Sequence, residues 1–224
     1  CCPPNIARLL TSLGHYIYTP REEALYINLY VGNQVEIPVG SDTLCLRIDG
    51  NYPWQEQVAL TITSPVPITH TLALRLPDWC RDPSVMLNGA PLTGTIHKGY
   101  LHLTRTWQEG DRLALTLPMP VHRVYGNPQV RHLAGKVAIQ RGPLVYCLEQ
   151  ADNGDALHNL WLPRENTFRV FEGKGIFAHK MLIQAEGYRL SPTQETQALY
   201  RYDTPPVQKT AQCLTFIPWF SWAN

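Results

Sequence analysis

Ala24-Leu25-Tyr26-Ile27-Asn28-Leu29-Tyr30-Val31-Gly32-Asn33-Gln34-Val35-Glu36-Ile37-Pro38-Val39 decides the fold class of this 224-residue chain. Leu25, Ile27, Leu29 and Val31 alternate with Tyr26, Asn28 and Tyr30, a period of two that belongs to a half-buried strand and not to a helix. Gly32-Asn33 is a turn signal, and Gln34 to Val39 reads as the return strand.

The same grammar repeats downstream. Strands are expected over 43–49, 57–63, 71–76, 84–87, 100–104 and 112–117, with turns at Gly50-Asn51 and Asn88-Gly89. Gly110-Asp111, just before the last of these, is expected to close a hairpin. Short strands separated by turn signals at near-regular intervals describe an antiparallel sandwich. The pattern pauses at Pro118-Met119-Pro120, and 121–125 bridges to a second set after the Gly126-Asn127-Pro128 turn. That set comprises 136–140, 144–149, 168–171, 181–186 and 213–218. The long polar connections 150–167 and 191–209 read as functional or interface loops. The aromatic end Trp219-Phe220-Ser221-Trp222-Ala223-Asn224 has no polar tail, as expected of a truncated second sandwich.

Upstream of the strands the period changes. Ile6, Leu9, Leu10, Leu13 and Ile17 recur at three-to-four spacing, so one amphipathic helix is expected from Pro4 to about Tyr18, weakened by Gly14. A helix this short cannot bury its own apolar stripe, so it needs a packing partner, expected upstream. Before it stand Cys1-Cys2-Pro3-Pro4-Asn5. Pro4 suits a first helical turn, where its missing N–H is no loss. The two thiols are therefore expected on irregular backbone just before the helix, near the end of its dipole that favours an anion. Such a pair serves for soft metal ligation or as a nucleophile beside a ligand; two small buried hydrophobes is the other reading.

Composition narrows the field. Nineteen Lys and Arg against 18 Asp and Glu, with no basic run, gives nothing that asks for nucleic acid or an anionic membrane. No apolar run approaches the roughly 20 residues that span a bilayer. The first methionine is Met86, so the chain reads as a processed product or a portion of a longer protein. Six cysteines without a regular framework, and no Asn-x-Ser/Thr sequon, point to a reducing, cytoplasmic setting.

Other chemistry-bearing residues have bland readings. Glu22, Glu23, Asp49, Glu56, Asp78, Glu149 and Glu186 are scattered over strand ends and turns, as solvated carboxylates are, rather than set out as a glycosidase pair. His15 could face a cleft but suits a packing role. Cys45, Cys80, Cys147 and Cys213 read as buried structural thiols, and most of the six tryptophans as core rather than a sugar-stacking platform. No phosphate loop, Ser-His-Asp order or CxxC pair is present.

The Cys1-Cys2-Pro3-Pro4-Asn5 stretch before an amphipathic helix resembles the active-site signature of the glycoside hydrolase family 127 β-L-arabinofuranosidases. The resemblance runs through Leu29-Tyr30-Val31, Asn51-Tyr52-Pro53-Trp54, Arg75-Leu76-Pro77-Asp78-Trp79-Cys80, Arg141-Gly142-Pro143-Leu144-Val145-Tyr146 and the Trp-Phe-Ser-Trp end. It implies a mainly β chain: residues 1–20 as the last helix of a truncated (α/α)6 catalytic barrel, 21–121 as a first β-sandwich and 122–224 as a second. It also implies that Cys1 is the catalytic nucleophile held on zinc, that Cys2 is a further zinc ligand, and that the glycoside is cleaved with retention. A zinc-bound thiol is a thiolate at neutral pH, which suits that role. Four ligands normally close such a site, and this chain supplies two. The resemblance places the others, a glutamate and a third cysteine, upstream of Cys1 together with the glutamate acid/base. Alone, the chain is expected neither to hold zinc tightly nor to turn over a glycoside. Its expected partners are an arabinofuranosyl glycoside and the N-terminal barrel of the parent protein, and a homodimer is compatible with them. A noncatalytic carbohydrate-binding or interaction module is the alternative from another class.

Overall fold

In the computed structural model, which describes residues 2–192, 200, 202 and 207–222, the chain divides into two units, Cys1–Met119 and Pro120–Asn224. The first begins with helices α1 (Cys2–Ser12) and α2 (Gly14–Ile17). Its strands are β1 (Tyr18–Pro20), β2 (Ala24–Ile27), β3 (Asn33–Val39), β4 (Asp42–Gly50), β5 (Gln57–Ile62) and β6 (Ile68–Arg75). They continue with β7 (Ser84–Leu87), β8 (Ala90–Pro91), β9 (Thr95–His97), β10 (Tyr100–Trp107) and β11 (Arg112–Thr116). A five-stranded sheet in the order β1-β2-β6-β10-β9 and a six-stranded sheet in the order β3-β4-β5-β11-β7-β8 make up this unit.

Alternation places one residue in two inside. Leu44, Leu46 and Ile48 of β4, Val58, Leu60 and Ile62 of β5, and Leu113 and Leu115 of β11 are buried. They share one core with Leu25, Ile27, Leu72, Leu74, Leu103 and Trp107 of the other sheet. Each such side chain contributes roughly 2 kcal/mol by leaving water. The Trp107 indole meets the rule for a buried polar atom by donating to the His70 carbonyl at 2.9 Å.

The expected hairpin across Gly32-Asn33 is not one. β2 and β3 lie in different sheets. The strand leaves its ladder after Ile27, and Tyr30 turns into the core with its hydroxyl donating to the Arg75 carbonyl at 2.6 Å. The Gly110-Asp111 turn is likewise a crossing between sheets, from β10 to β11. Asp111, nearly buried, pins it by accepting from the Gln108 N–H at 3.0 Å and the Asn88 amide at 2.8 Å. A turn signal fixes where the chain bends, not which sheet receives it. The Asn88-Gly89 turn does close a hairpin, with φ of 50° and 84° as a type I′ turn requires. The pairing is antiparallel except for β2 with β6, which run parallel, Leu25 opposite Leu72 and Ile27 opposite Leu74.

The single expected helix is two. Leu13 separates α1 from α2, and Tyr18 already belongs to β1.

The second unit has β12 (Val121–Tyr125), β13 (Val137–Arg141), β14 (Leu144–Leu148), the short helix α3 (Gln150–Asn153), β15 (Leu160–Trp161), β16 (Phe168–Glu172), β17 (Met181–Pro192) and β18 (Val207–Pro218). Its sheet runs β12-β13-β14-β18-β17-β15, with β16 beside β17. Ile139, Tyr146, Ile183, Ala185, Leu214 and Phe216 form its core. Tyr146 donates to the Met181 carbonyl at 3.0 Å, and burial, opposed by Arg141, pushes its phenol up to about 12.

The 150–167 connection is not an open loop. Buried Asn153 donates to the Thr215 carbonyl and accepts from its N–H, both at 2.9 Å, which stitches α3 to β18. The 191–209 connection is shorter than expected, because β17 and β18 stay paired out to Pro192 opposite Val207. Residues 193–199, 201 and 203–206 of that connection lie outside the described residues, as do Ala223 and Asn224.

Candidate active site

The second thiol of the pair stands at the start of α1. Cys2 is the first helical residue and is exposed, where the sequence placed it on irregular backbone. Both prolines fit the first turn because the first four helical N–H groups have no partner inside the helix. Cys1, the expected nucleophile and metal ligand, lies outside the described residues. Farther along α1, Arg8 donates to the Asn5 side chain at 3.3 Å. Thr11 and Ser12 turn their hydroxyls back onto carbonyls of the preceding turn, at 2.9–3.2 Å. No α1 side chain is buried, and Ile6, Leu9 and Leu10 are 57%, 54% and 66% exposed, so the α1 part of the stripe read from the sequence faces outward, whereas Leu13 is half-buried and Ile17 joins the core.

What fixes the base of this helical segment is Asn28, the residue just past β2. Its N–H donates to the Ile17 carbonyl at 2.8 Å. Its side-chain amide donates to the Tyr16 carbonyl at 3.2 Å and to the Thr19 hydroxyl at 2.9 Å. A carbonyl only accepts, so the amide nitrogen must be the atom facing Tyr16. The amide oxygen accepts from the Tyr100 hydroxyl at 2.9 Å, and the Asn28 carbonyl accepts from Arg75 at 3.4 Å. Tyr100 and Arg75 are opposite one another across β10 and β6, so both sit at one end of the sheet. Nearby, Tyr18 donates to the Asn33 side chain at 2.7 Å. Sequence reading passed over Asn28 as the outward member of an alternating strand. The available signal was an Asn, a poor strand former, inside the run Leu-Tyr-Ile-Asn-Leu-Tyr-Val.

Aromatic rings surround this end. Tyr26 meets Tyr100 edge-on at 5.1 Å and His102 at 5.6 Å, and Tyr30 meets Tyr52 at 5.9 Å. Burial raises the Tyr30 phenol far above the ordinary range, with the neighbouring Tyr52 adding to it and Arg75 opposing. Burial likewise raises Tyr52 and the Cys80 thiol.

Other expected candidates resolve simply. His15 is exposed, and so are Glu22, Glu23, Asp49, Asp78 and Glu186. Half-buried Glu56 accepts from the Met119 N–H at 2.9 Å. Of the four strand cysteines only Cys80 is buried; Cys45 and Cys147 are half-buried and Cys213 is exposed. Trp107 alone among the tryptophans is fully buried, with Trp54 and Trp79 half-buried and Trp161, Trp219 and Trp222 exposed. The reason is positional: these residues fall at strand ends and on outward faces, which residue type cannot reveal.

Among the described residues no group of three or more His, Cys, Asp or Glu side chains comes together where it could hold a metal ion. By themselves they do not make up a four-ligand zinc centre. No helix among them is long and apolar enough to cross a membrane.

Comparison with known proteins places both units. Residues 24–119 match the sequence model of the beta-L-arabinofuranosidase GH127 middle domain, and residues 121–224 that of the glycoside hydrolase family 127 C-terminal domain. The whole chain is 32% identical to a non-reducing end beta-L-arabinofuranosidase of Bifidobacterium longum subsp. longum, of which it spans 35%. Among solved structures, a GH127 beta-L-arabinofuranosidase from Geobacillus stearothermophilus T6 superposes with a TM-score of 0.92 at 40% identity, over all of this chain and 35% of that one. A second, a GH127 beta-arabinofuranosidase, gives 0.89 at 29% identity, over all of this chain and 36% of that one. The chain thus spans about a third of the length of the relatives it matches.

Proposed function

The chain belongs to glycoside hydrolase family 127, and from that premise we propose that it is the C-terminal portion of a retaining glycosidase that releases β-L-arabinofuranose from glycosides. The observation that carries this reading is the likeness over the whole chain, at 40% identity, to a solved GH127 beta-L-arabinofuranosidase. In this reading α1 and α2 are the end of an (α/α)6 barrel, and the β units that follow brace it and shape one rim of the sugar pocket.

We assign Cys1 as nucleophile. Its thiolate forms a bond to the anomeric carbon as the glycosidic C–O bond breaks, and the leaving oxygen takes a proton from a carboxylic acid outside these residues. Water then displaces the sulfur, giving its proton to the same carboxylate and restoring the thiolate. Two inversions at one carbon retain configuration. Cys1 and Cys2 are two ligands of a zinc ion whose remaining ligands lie outside this chain. Exposure of Cys2 at a helix start, with an apolar stripe open beside it, supports a site completed by other parts of the parent protein.

The test is the intact parent protein with p-nitrophenyl β-L-arabinofuranoside. Cys1→Ser should lower kcat/KM by about 10³-fold or more, and NMR of the wild-type reaction should show the β-anomer as first product. Unchanged release by the variant, or an α-anomer first, would overturn the assignment. The isolated 224-residue chain should show no turnover. A second reading, a noncatalytic carbohydrate-binding module, draws on Trp161, Trp219 and Trp222, which are 44%, 64% and 59% exposed. It requires that the isolated chain bind arabinosides and lose them when these rings are removed.

A further inference from the structure

We propose that Asn28 is the positioning residue for the cysteine pair: its hydrogen bonds lock the end of the helical segment to one end of the first unit's sheet, so that the sheet sets where α1 points. This rests on the assignment of Cys1 as nucleophile. Asn28 is the point where residues of four elements on three other stretches of chain meet. Tyr16 and Ile17 come from α2, Thr19 from β1, Arg75 from β6 and Tyr100 from β10. The two central strands are hydrogen-bonded along the whole of β6, so Tyr100 and Arg75 are held by the most continuous ladder in the sheet. The amide nitrogen of Asn28 carries that rigidity to Tyr16 and Thr19, and its backbone N–H to Ile17.

Leverage makes the tie matter. α1 has 11 residues, which at about 1.5 Å per residue is a rod of roughly 16 Å. A tilt of about 5° at its base moves the far end, where Cys2 stands, by about 1.4 Å. A displacement of about 1 Å at a reacting atom costs on the order of 10²-fold in rate. The interior of the rod offers no compensation from within this unit, since no α1 side chain is buried. Asn fits the task better than any other residue, because one short side chain must donate to a carbonyl and accept from a phenol at once. Asp keeps the acceptor for Tyr100 but loses the donor to Tyr16; Ala loses both.

The experiment uses the intact parent protein in wild-type, Asn28→Ala, Asn28→Asp and Tyr100→Phe forms. Iodoacetamide labelling of the peptide that carries Cys1, read by mass spectrometry apart from the exposed Cys213, gives the fraction of reactive sites to which kcat is referred, and hydrogen exchange is followed in the peptide covering residues 13–20. Expected for Asn28→Ala is exchange at least about tenfold faster in that peptide, with the β4 and β5 peptides unchanged. With it, kcat per reactive site should fall by about 10²-fold and KM stay within about threefold. Asn28→Asp should behave like Ala, and Tyr100→Phe should fall between Ala and wild type. Should Asn28→Ala fail to fold, Tyr100→Phe, which removes one phenol oxygen, carries the same readouts. Loss of activity explained wholly by fewer reactive sites would overturn the proposal, as would unchanged exchange in residues 13–20. A fully active Cys1→Ser protein would defeat the nucleophile assignment and the positioning role with it, while the exchange data would still report whether Asn28 anchors the segment.

Discussion

Replacing Tyr30 by Phe removes one oxygen from the core of the first unit, and its cost should depend on pH in a definite direction. Tyr30 is 4% exposed, and its hydroxyl donates to the Arg75 carbonyl at 2.6 Å. Removing the donor forfeits a hydrogen bond worth about 1 kcal/mol net and strands a carbonyl that then needs another partner. A loss of about 1–2 kcal/mol at pH 8 is expected. Burial raises this phenol well above its ordinary value near 10. At pH 8 it is protonated in both folded and unfolded chain, so the full difference from Phe is present. As pH rises past about 10 the unfolded tyrosine ionises while the folded one cannot, which favours unfolding. By pH 11 that amounts to about 1.4 kcal/mol. The advantage of Tyr over Phe should therefore be constant from pH 7 to 9 and nearly gone by pH 11. Urea unfolding of the 224-residue chain, followed by tryptophan fluorescence at each pH, measures it. At pH 8 the midpoint should drop by about 0.5–1 M with an unchanged slope. A Tyr–Phe difference that stays level from pH 8 to 11 would refute the argument, because the buried hydroxyl would then not be the titrating group.

Burial and hydrogen bonding set two further outcomes. Cys213 is exposed, whereas Cys80 is buried and its thiol is raised by that burial, so a short iodoacetamide pulse at pH 8 should label Cys213 at least about tenfold faster; comparable labelling of the two, read by peptide mass spectrometry, would contradict the packing around Cys80. Asp111→Ala removes both acceptor bonds that hold the β10–β11 crossing, to Gln108 and Asn88, and should destabilise the chain by about 2–3 kcal/mol in urea unfolding.

How much of this was legible in the sequence differs from element to element. Period-two alternation located most strands, because burial on one face enforces it; β4 with Leu44, Leu46 and Ile48 inward is the plain case. The Asn88-Gly89 hairpin was legible for a local reason, since few residues accept positive φ at two successive positions. Sheet membership was not local and not legible: nothing in Gly32-Asn33 distinguishes a return within one sheet from a crossing to another. The full length of β17 and β18 was hidden by their polar members, among them Arg189 and Gln212, which bond to each other across the ladder at 3.0 Å. At the site, the cysteine pair and its prolines could be picked out by residue type and order. Asn28 could not, because its importance arises only when a parallel pairing and a particular register bring Tyr16, Arg75 and Tyr100 around it.

The flanks of the five-stranded sheet carry one more consequence. Its outermost strands, β1 and β9, have three residues each, and β1 ends in Pro20, which offers no N–H. Short margins of this kind deny a foreign strand the row of free peptide groups it would need. A polypeptide recut to begin at Ala24 would forfeit β1 and lay bare the flank of β2, the run Ala-Leu-Tyr-Ile, to any neighbour. The few residues between helix and sheet thus act as a selvedge along that margin, and a trimmed version should clump more readily than the longer one.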